Sequence, residues 1–194
     1  MTMTNSEVEF AALEVFNKYI QRGGSHKQLF NIMQKEGIKF REVASLNANF
    51  VGALTFGNNK PYIMINQGIG NNGRRNFTIA HELGHYFLNH KLHSSSFFCQ
   101  EDNIVEDSDI SIRIEQEANY FASCFLMPRQ KITSAFLAII KRSKKADVRN
   151  FLPVNNKTFG VWRGIRDNFI RRFGVSEAAL RYRLIGLQLA RFEF

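Results

Sequence analysis

The sequence predicts an α+β protein, a small and mostly antiparallel sheet packed on helices, with a helical extension at the C-terminal end. Three observations predict it. Short apolar runs closed by turn formers at residues 38–43, 50–56 and 60–66 have the length and composition of strands. Two longer stretches, 75–89 and 112–127, place apolar residues at the three-and-four spacing of helices with one buried face. The last third of the chain reads as further helices.

Taken in order, Val8, Ala11, Ala12, Val15, Phe16 and Tyr19 recur at helical spacing, and residues 26–35 suggest a second short helix. Both are expected to wrap the sheet. The stretch 67–75 holds three glycines, but no Lys-Ser/Thr pair follows, so it reads as a turn rather than a phosphate loop. The helix over 75–89 aligns Phe77, Ala80, His81, Gly84, His85 and Leu88 on one stripe, with Asn76 or Thr78 as its cap. Gly84 costs a helix about 1 kcal/mol relative to alanine, which predicts a close-packed neighbour at that point. Ala118 and Ala122 in the helix over 112–127 are spaced to let another helix come near. Pro128 opens a helix through residue 140, a basic connector covers 141–156, and residues 162–173 are amphipathic. Gly174-Val-Ser176 then breaks the chain and caps a last helix over 177–189. That outline is a helix-turn-helix, and Arg181 and Arg183 on its second helix make DNA contact conceivable. Packing on the core, or docking a partner, is the preferred reading of the pair.

The chemistry is concentrated in His81-Glu-Leu-Gly-His85. Residues four apart share a helix face, so the two imidazoles can share one metal ion, while Glu82 reaches a water beside the metal rather than the metal itself. A catalytic zinc needs a third protein ligand. Glu115 shares the face of Ala118 and Ala122, whereas Glu117 lies about 200° around the helix at about 100° per residue. Glu115 is therefore chosen, with Glu117 in reserve. Asn119, one turn later, is placed to hold a ligand histidine through its other ring nitrogen. His90, His93, Tyr62 and Tyr86 are the candidates for a donor to the developing oxyanion, His90 lying about 140° off the ligand stripe. Zn2+ suits imidazole and carboxylate donors, and Mn2+ or Fe2+ can take the same set.

These residues carry a resemblance. The motif, its approach Arg75-Asn-Phe-Thr-Ile-Ala80 and the downstream run from Glu115 through Tyr120-Phe-Ala-Ser-Cys124 to Pro128 resemble the ImmA/IrrE metallopeptidases of bacteria, phages and integrative elements. The resemblance implies a zincin-like fold with His81, His85 and Glu115 as zinc ligands and Glu82 as the catalytic carboxylate. It further implies a substrate: a helix-turn-helix repressor encoded nearby, whose cleavage releases mobile-element or stress-response genes. The length favours the compact ImmA-like form. In zincin peptidases an edge strand pairs with the extended substrate, a task assigned here to residues 61–66, with Tyr62, Ile63, Met64 and Ile65 as the substrate-binding residues.

Composition agrees with a compact protein. The 194 residues are 44% hydrophobic, enough for a sizeable core. No run of eighteen apolar residues suggests a membrane span, and the polar, acidic residues 1–9 argue against a secretion signal. Cys99 and Cys124 lack metal or redox spacing and are expected to be reduced thiols of a cytoplasmic protein. The expected division is a metallopeptidase domain at 1–130 and a basic helical region at 131–194. Charge follows it: residues 129–194 hold 15 Lys and Arg against 4 Asp and Glu, within a net charge of +9 for the chain. Glu101, Asp102, Glu106, Asp107 and Asp109 form an acidic patch expected to lid the site or greet a basic substrate. The rival expectation is a non-enzymatic regulator, DNA-binding or antitoxin-like, working through the basic helices.

Overall fold

A computed structural model describes residues 2–20, 23–44, 50–58, 60–90, 96–100, 109–142 and 151–193. The first helix, α1 (Asn5–Tyr19), opens with a capping box in which Thr4 and Glu7 satisfy each other's backbone N–H groups. It lies along α4 (Asp109–Leu126), with Phe16 meeting Phe125 edge to face at 6.2 Å. The expectation that both N-terminal helices wrap the sheet is thus corrected for α1. The second, α2 (Leu29–Lys35), does touch the sheet, setting the Phe30 ring edge-on to Phe40 in β1 (Lys39–Val43) at 5.0 Å.

The remaining strands are β2 (Phe50–Gly57), β3 (Lys60–Asn66) and β4 (Ser96–Gln100). They form a four-stranded mixed sheet in the order β1-β3-β2-β4. The β2–β3 and β2–β4 pairs are antiparallel and β1–β3 is parallel. This order overturns one assignment. β3 pairs with β1 through Tyr62↔Lys39 and with β2 through Ile63↔Leu54, so both of its edges are used. An interior strand has no free N–H and C=O row to offer a peptide, and Tyr62, Ile63, Met64 and Ile65 are not a substrate edge. Ile63 and Ile65 are instead fully buried core residues.

Under the sheet runs α3 (Asn72–Phe87), crossed by α4. The close approach expected from Gly84 and Ala118 is present: a Cβ at Gly84 would sit 3.1 Å from the Ala118 carbonyl oxygen and 3.2 Å from the Phe121 ring. The cap of α3 is neither Asn76 nor Thr78. Asn71 accepts from the Arg74 N–H at 2.9 Å, so the helix starts one turn earlier, and Asn76 donates to the Gly174 carbonyl.

The rest of the chain is α5 (Arg129–Arg142), β5 (Leu152–Val154), α6 (Phe159–Phe173), α7 (Glu177–Gly186) and β6 (Ala190–Phe192). Gly174 ends α6 at φ 64°, and Ser176 caps α7, which is the predicted break. The two short strands pair in parallel, Leu152 opposite Ala190, where the sequence suggests connector and helix end. The α6–α7 turn rests on the start of α3, since any side chain at Gly73 would collide with Val175 and Ser176. Trp162, Phe169, Leu180 and Leu184 join one buried cluster with Phe121, Phe125 and the sheet's isoleucines. No described helix is long and apolar enough to cross a membrane.

Candidate metal centre

Helix α3 lays His81 and His85 one turn apart, both almost fully buried, and their Nε2 atoms are 2.9 Å from each other. Glu115 of α4 closes the triangle. Its carboxylate oxygens lie 3.1 Å from His81 Nε2 and 3.3 Å from His85 Nε2, and one donor atom from each of the three residues falls within 4.8 Å of the others. Glu117 points elsewhere, as the helical angle between the two glutamates requires. It sits behind the cluster, with Oε2 3.2 Å from His90 Nε2 and Oε1 accepting the Met3 N–H at 2.7 Å.

The outer contacts orient both imidazoles. Asn119 Oδ1, an acceptor, lies 3.0 Å from His81 Nδ1, so that nitrogen carries the proton and Nε2 keeps its lone pair. His85 Nδ1 lies 2.9 Å from His90 Nδ1. With His90 donating from Nε2 to Glu117, its Nδ1 accepts the His85 proton, and His85 Nε2 also keeps its lone pair. Two nitrogen lone pairs and a carboxylate therefore aim at one point with no proton among them. This donor set fits a divalent cation. Burial pushes His85 down to about 4, against the pull of the Glu115 carboxylate, so the neutral ring is the stable form. Burial also works to raise the Glu115 carboxyl, but hydrogen bonds from His81 and His85, available whenever those rings carry a proton on Nε2 in place of a cation, outweigh that and hold it well below the usual carboxylate range.

Glu82 is fully buried, and among the described residues neither carboxylate oxygen has a side-chain hydrogen-bond partner, the Leu54 backbone being the polar group that acts on it. Burial pushes its pKa up to about 8; the His81 charge opposes this and the Glu115 charge adds to it. Strand β2 crosses directly above at Gly52, where a Cβ would lie 2.6 Å from Thr78 Cγ2 and 3.0 Å from Glu82 Oε1. An isolated glycine inside an apolar strand signals such an approach, and it went unread in the sequence.

Residues 33–185 match the model of the Peptidase M78 family, described as the IrrE N-terminal-like domain. The chain belongs to that family. Membership makes the domain metallopeptidase-like, and the His81, His85 and Glu115 cluster is its candidate metal site. Among solved structures, a Mycobacterium tuberculosis transcriptional regulator has the same fold, with a TM-score of 0.57 and 20% identity over 92% of this chain. The match covers 46% of the regulator, so the chain spans a little under half of that protein's length. No curated protein matches the chain in sequence.

Within this family member the remaining candidates are distributed as follows. Tyr86 gives its hydroxyl to Glu36 Oε2 at 3.2 Å, the Tyr62 ring lies under the Lys39 ammonium at 5.4 Å, and His90 stands behind His85. Tyr86 and His90 are thereby engaged with other partners. His93, Glu101, Asp102, Glu106 and Asp107 lie outside the described residues, and Asp109 is the first residue of α4. Arg183, for which the sequence makes DNA contact conceivable and packing of its helix preferred, is buried: it donates to Glu9 Oε1 at 2.8 Å, to the Met127 carbonyl at 3.1 Å and to Cys124 Sγ at 3.3 Å. It is a packing residue. Arg181 keeps its guanidinium 4.0 Å above the Phe192 ring. Burial pushes the Cys124 thiol up to about 11, which leaves it protonated and unreactive.

Proposed function

We propose that this chain is a metal-dependent endopeptidase that cuts a partner protein, and that the partner is a helix-turn-helix transcriptional repressor whose loss releases mobile-element or stress-response genes. The observation that carries the reading is the convergence of three lone-pair donors beside a fully buried carboxylate. His81, His85 and Glu115 would hold the cation, with Zn2+ the favoured ion and Mn2+ or Fe2+ compatible. When bound, it would supply Lewis acidity that lowers the pKa of water towards about 7 and polarises the scissile carbonyl.

The chain's own groups do the rest. Asn119 and the His90–Glu117 pair hold the two imidazoles in the tautomer a cation needs. Glu82, made more basic by burial, takes one proton from the attacking water as its oxygen bonds to the acyl carbon. It then returns that proton to the departing nitrogen as the C–N bond breaks, so the products are one carboxyl and one amino end. The family membership supports the peptidase class, and the fold shared with a transcriptional regulator supports a regulatory setting. The cytoplasm, where a repressor meets its operator, is the proposed site of action.

The test is to incubate the metal-loaded protein with a repressor encoded beside it and to follow the repressor by intact-mass spectrometry. Wild type is expected to yield two fragments, and Glu82→Gln, which keeps the ligand set, to yield none. Cutting that persists in Glu82→Gln removes the proposed base. An intact repressor together with steeply salt-dependent DNA binding by the wild type favours a regulator that works by association.

A further inference from the structure

Beside the candidate centre the structure holds a cavity of about 640 Å³ between α3, α4 and α7. Its walls are mainly apolar: Phe77 from α3, Tyr120 from α4, and Ala178, Ala179 and Tyr182 from α7. The volume falls in the range of about 300–1,000 Å³ typical of ligand pockets, room for more than one side chain of a peptide. We propose that this cavity is the specificity pocket of the peptidase, and that it takes apolar side chains of the substrate close to the bond that is cut. The proposal rests on the peptidase reading above and names the chemistry of its substrate.

Three features place the occupant. Asn119 is shared, since it lines the cavity and also holds His81 Nδ1 at 3.0 Å. On α3, Arg74, Phe77 and His81 fall at spacings of three and four, so the helix stripe that ends in the metal donor begins as the pocket wall. On α4, Gln116 and Asn119 flank the same face, and the Glu115 side chain is 29% exposed, so the centre opens toward solvent along that helix. The four steps from Phe77 to His81 span about 6 Å of helix. At about 3.3 Å per extended residue, the pocket starts roughly two residues from the scissile bond. The opposite wall comes from α7, and Tyr182 at the mouth is 78% exposed. This gives the C-terminal helices a task that the peptidase core lacks without them: they complete the surface that reads the substrate.

Gly186 makes the pocket testable, because it lines the cavity and a Cβ built there meets nothing within 4 Å. Gly186→Trp adds an indole to the cavity lining with no clash at its Cβ, and Gly164→Trp, equally open at Cβ on α6 and away from the cavity, is the matched control. The first probe is a fluorescein-labelled decapeptide with adjacent Phe and Leu at its centre, compared by anisotropy with its Ser-substituted twin on the metal-loaded Glu82→Gln protein. The apolar peptide is expected to bind at least about tenfold more tightly than the twin. Adding Gly186→Trp should erase that difference and Gly164→Trp should leave it. The second probe is denatured β-casein, digested by the wild type, whose cut sites are expected to carry an apolar residue about two positions from the break. Equal binding of the twins, or discrimination that survives Gly186→Trp, overturns the pocket. Discrimination without any cutting by the wild type overturns the peptidase reading and leaves the pocket standing, whereas cutting without discrimination overturns the pocket alone.

Discussion

Gly52→Ala is the sharpest small perturbation of the candidate centre. The added methyl would lie 2.6 Å from Thr78 Cγ2, 3.0 Å from Glu82 Oε1 and 3.3 Å from the Met64 carbonyl oxygen. Carbon atoms pack at about 3.5–4.0 Å, so strand and helix must separate by about 1 Å, or the Thr78 side chain must turn. Thr78 is buried and β-branched, which leaves it little freedom to turn. Overpacking of this kind costs about 1–3 kcal/mol, a fall in Tm of roughly 2–12 °C for a chain of this size. A displacement of about 1 Å at Glu82 would further lower kcat by on the order of 100-fold, beyond the stability loss. The assay pairs differential scanning fluorimetry with turnover at full metal loading, for Gly52→Ala, Thr78→Ser and the double variant. Thr78→Ser deletes the clashing Cγ2 and keeps the hydroxyl, so the double variant should recover most of the lost stability, a positive coupling between the two sites. A Gly52→Ala protein as stable and active as wild type, or one that Thr78→Ser fails to rescue, would refute the packing argument.

Two further outcomes follow from contacts around the centre and across the helices. Glu117→Gln and His90→Phe leave the three proposed ligands in place but release the tautomer of His85, so metal affinity in a chelator competition should fall by about 10–100-fold, with unchanged affinity as the contrary result. Burial of Glu9 acts to raise its pKa, but hydrogen bonds from Arg129 and Arg183 outweigh it and hold the carboxyl below its ordinary value of 4.5. Its contribution to stability is therefore complete above about pH 4.5 and is lost as pH falls through the lower, folded-state value; urea melts of Glu9→Gln should show a flatter dependence over that acid range than wild type.

What could be read from the chain alone was local. The pair His81 and His85, the face shared by Glu115 and Ala118, and the close approach at Gly84 all follow from the angle between residues a few positions apart on one helix. The break at Gly174 and the cap at Ser176 are equally short-range signals. Strand order is different in kind. Residues 60–66 look the same to a sequence reader at an edge or in the interior, because the local hairpin with β2 fills one side only and the parallel partner β1 lies beyond β2 in the chain. The three-residue strands β5 and β6 are too short for alternation to show, and they join only because Leu152 meets Ala190 across α6 and α7. His90 was legible as off the ligand stripe, yet its place behind His85 needed Glu117 to arrive from another helix. The burial of Arg183 was hidden for a related reason. A basic residue on a helix suggests a solvent-facing charge until the carboxylate that neutralises it, 174 positions earlier, is seen.

That last separation bears on how the protein comes into being. On the ribosome Glu9 and both histidines emerge long before the guanidinium that ties α7 to α1, and until it arrives the Met127 carbonyl lacks that donor and the Glu9 carboxylate is held by Arg129 and Tyr120 with no tie to α7. Closure of this seam is a late event in assembly, and a nascent chain stalled before Arg183 would carry every residue of the candidate centre on a scaffold still open along one side.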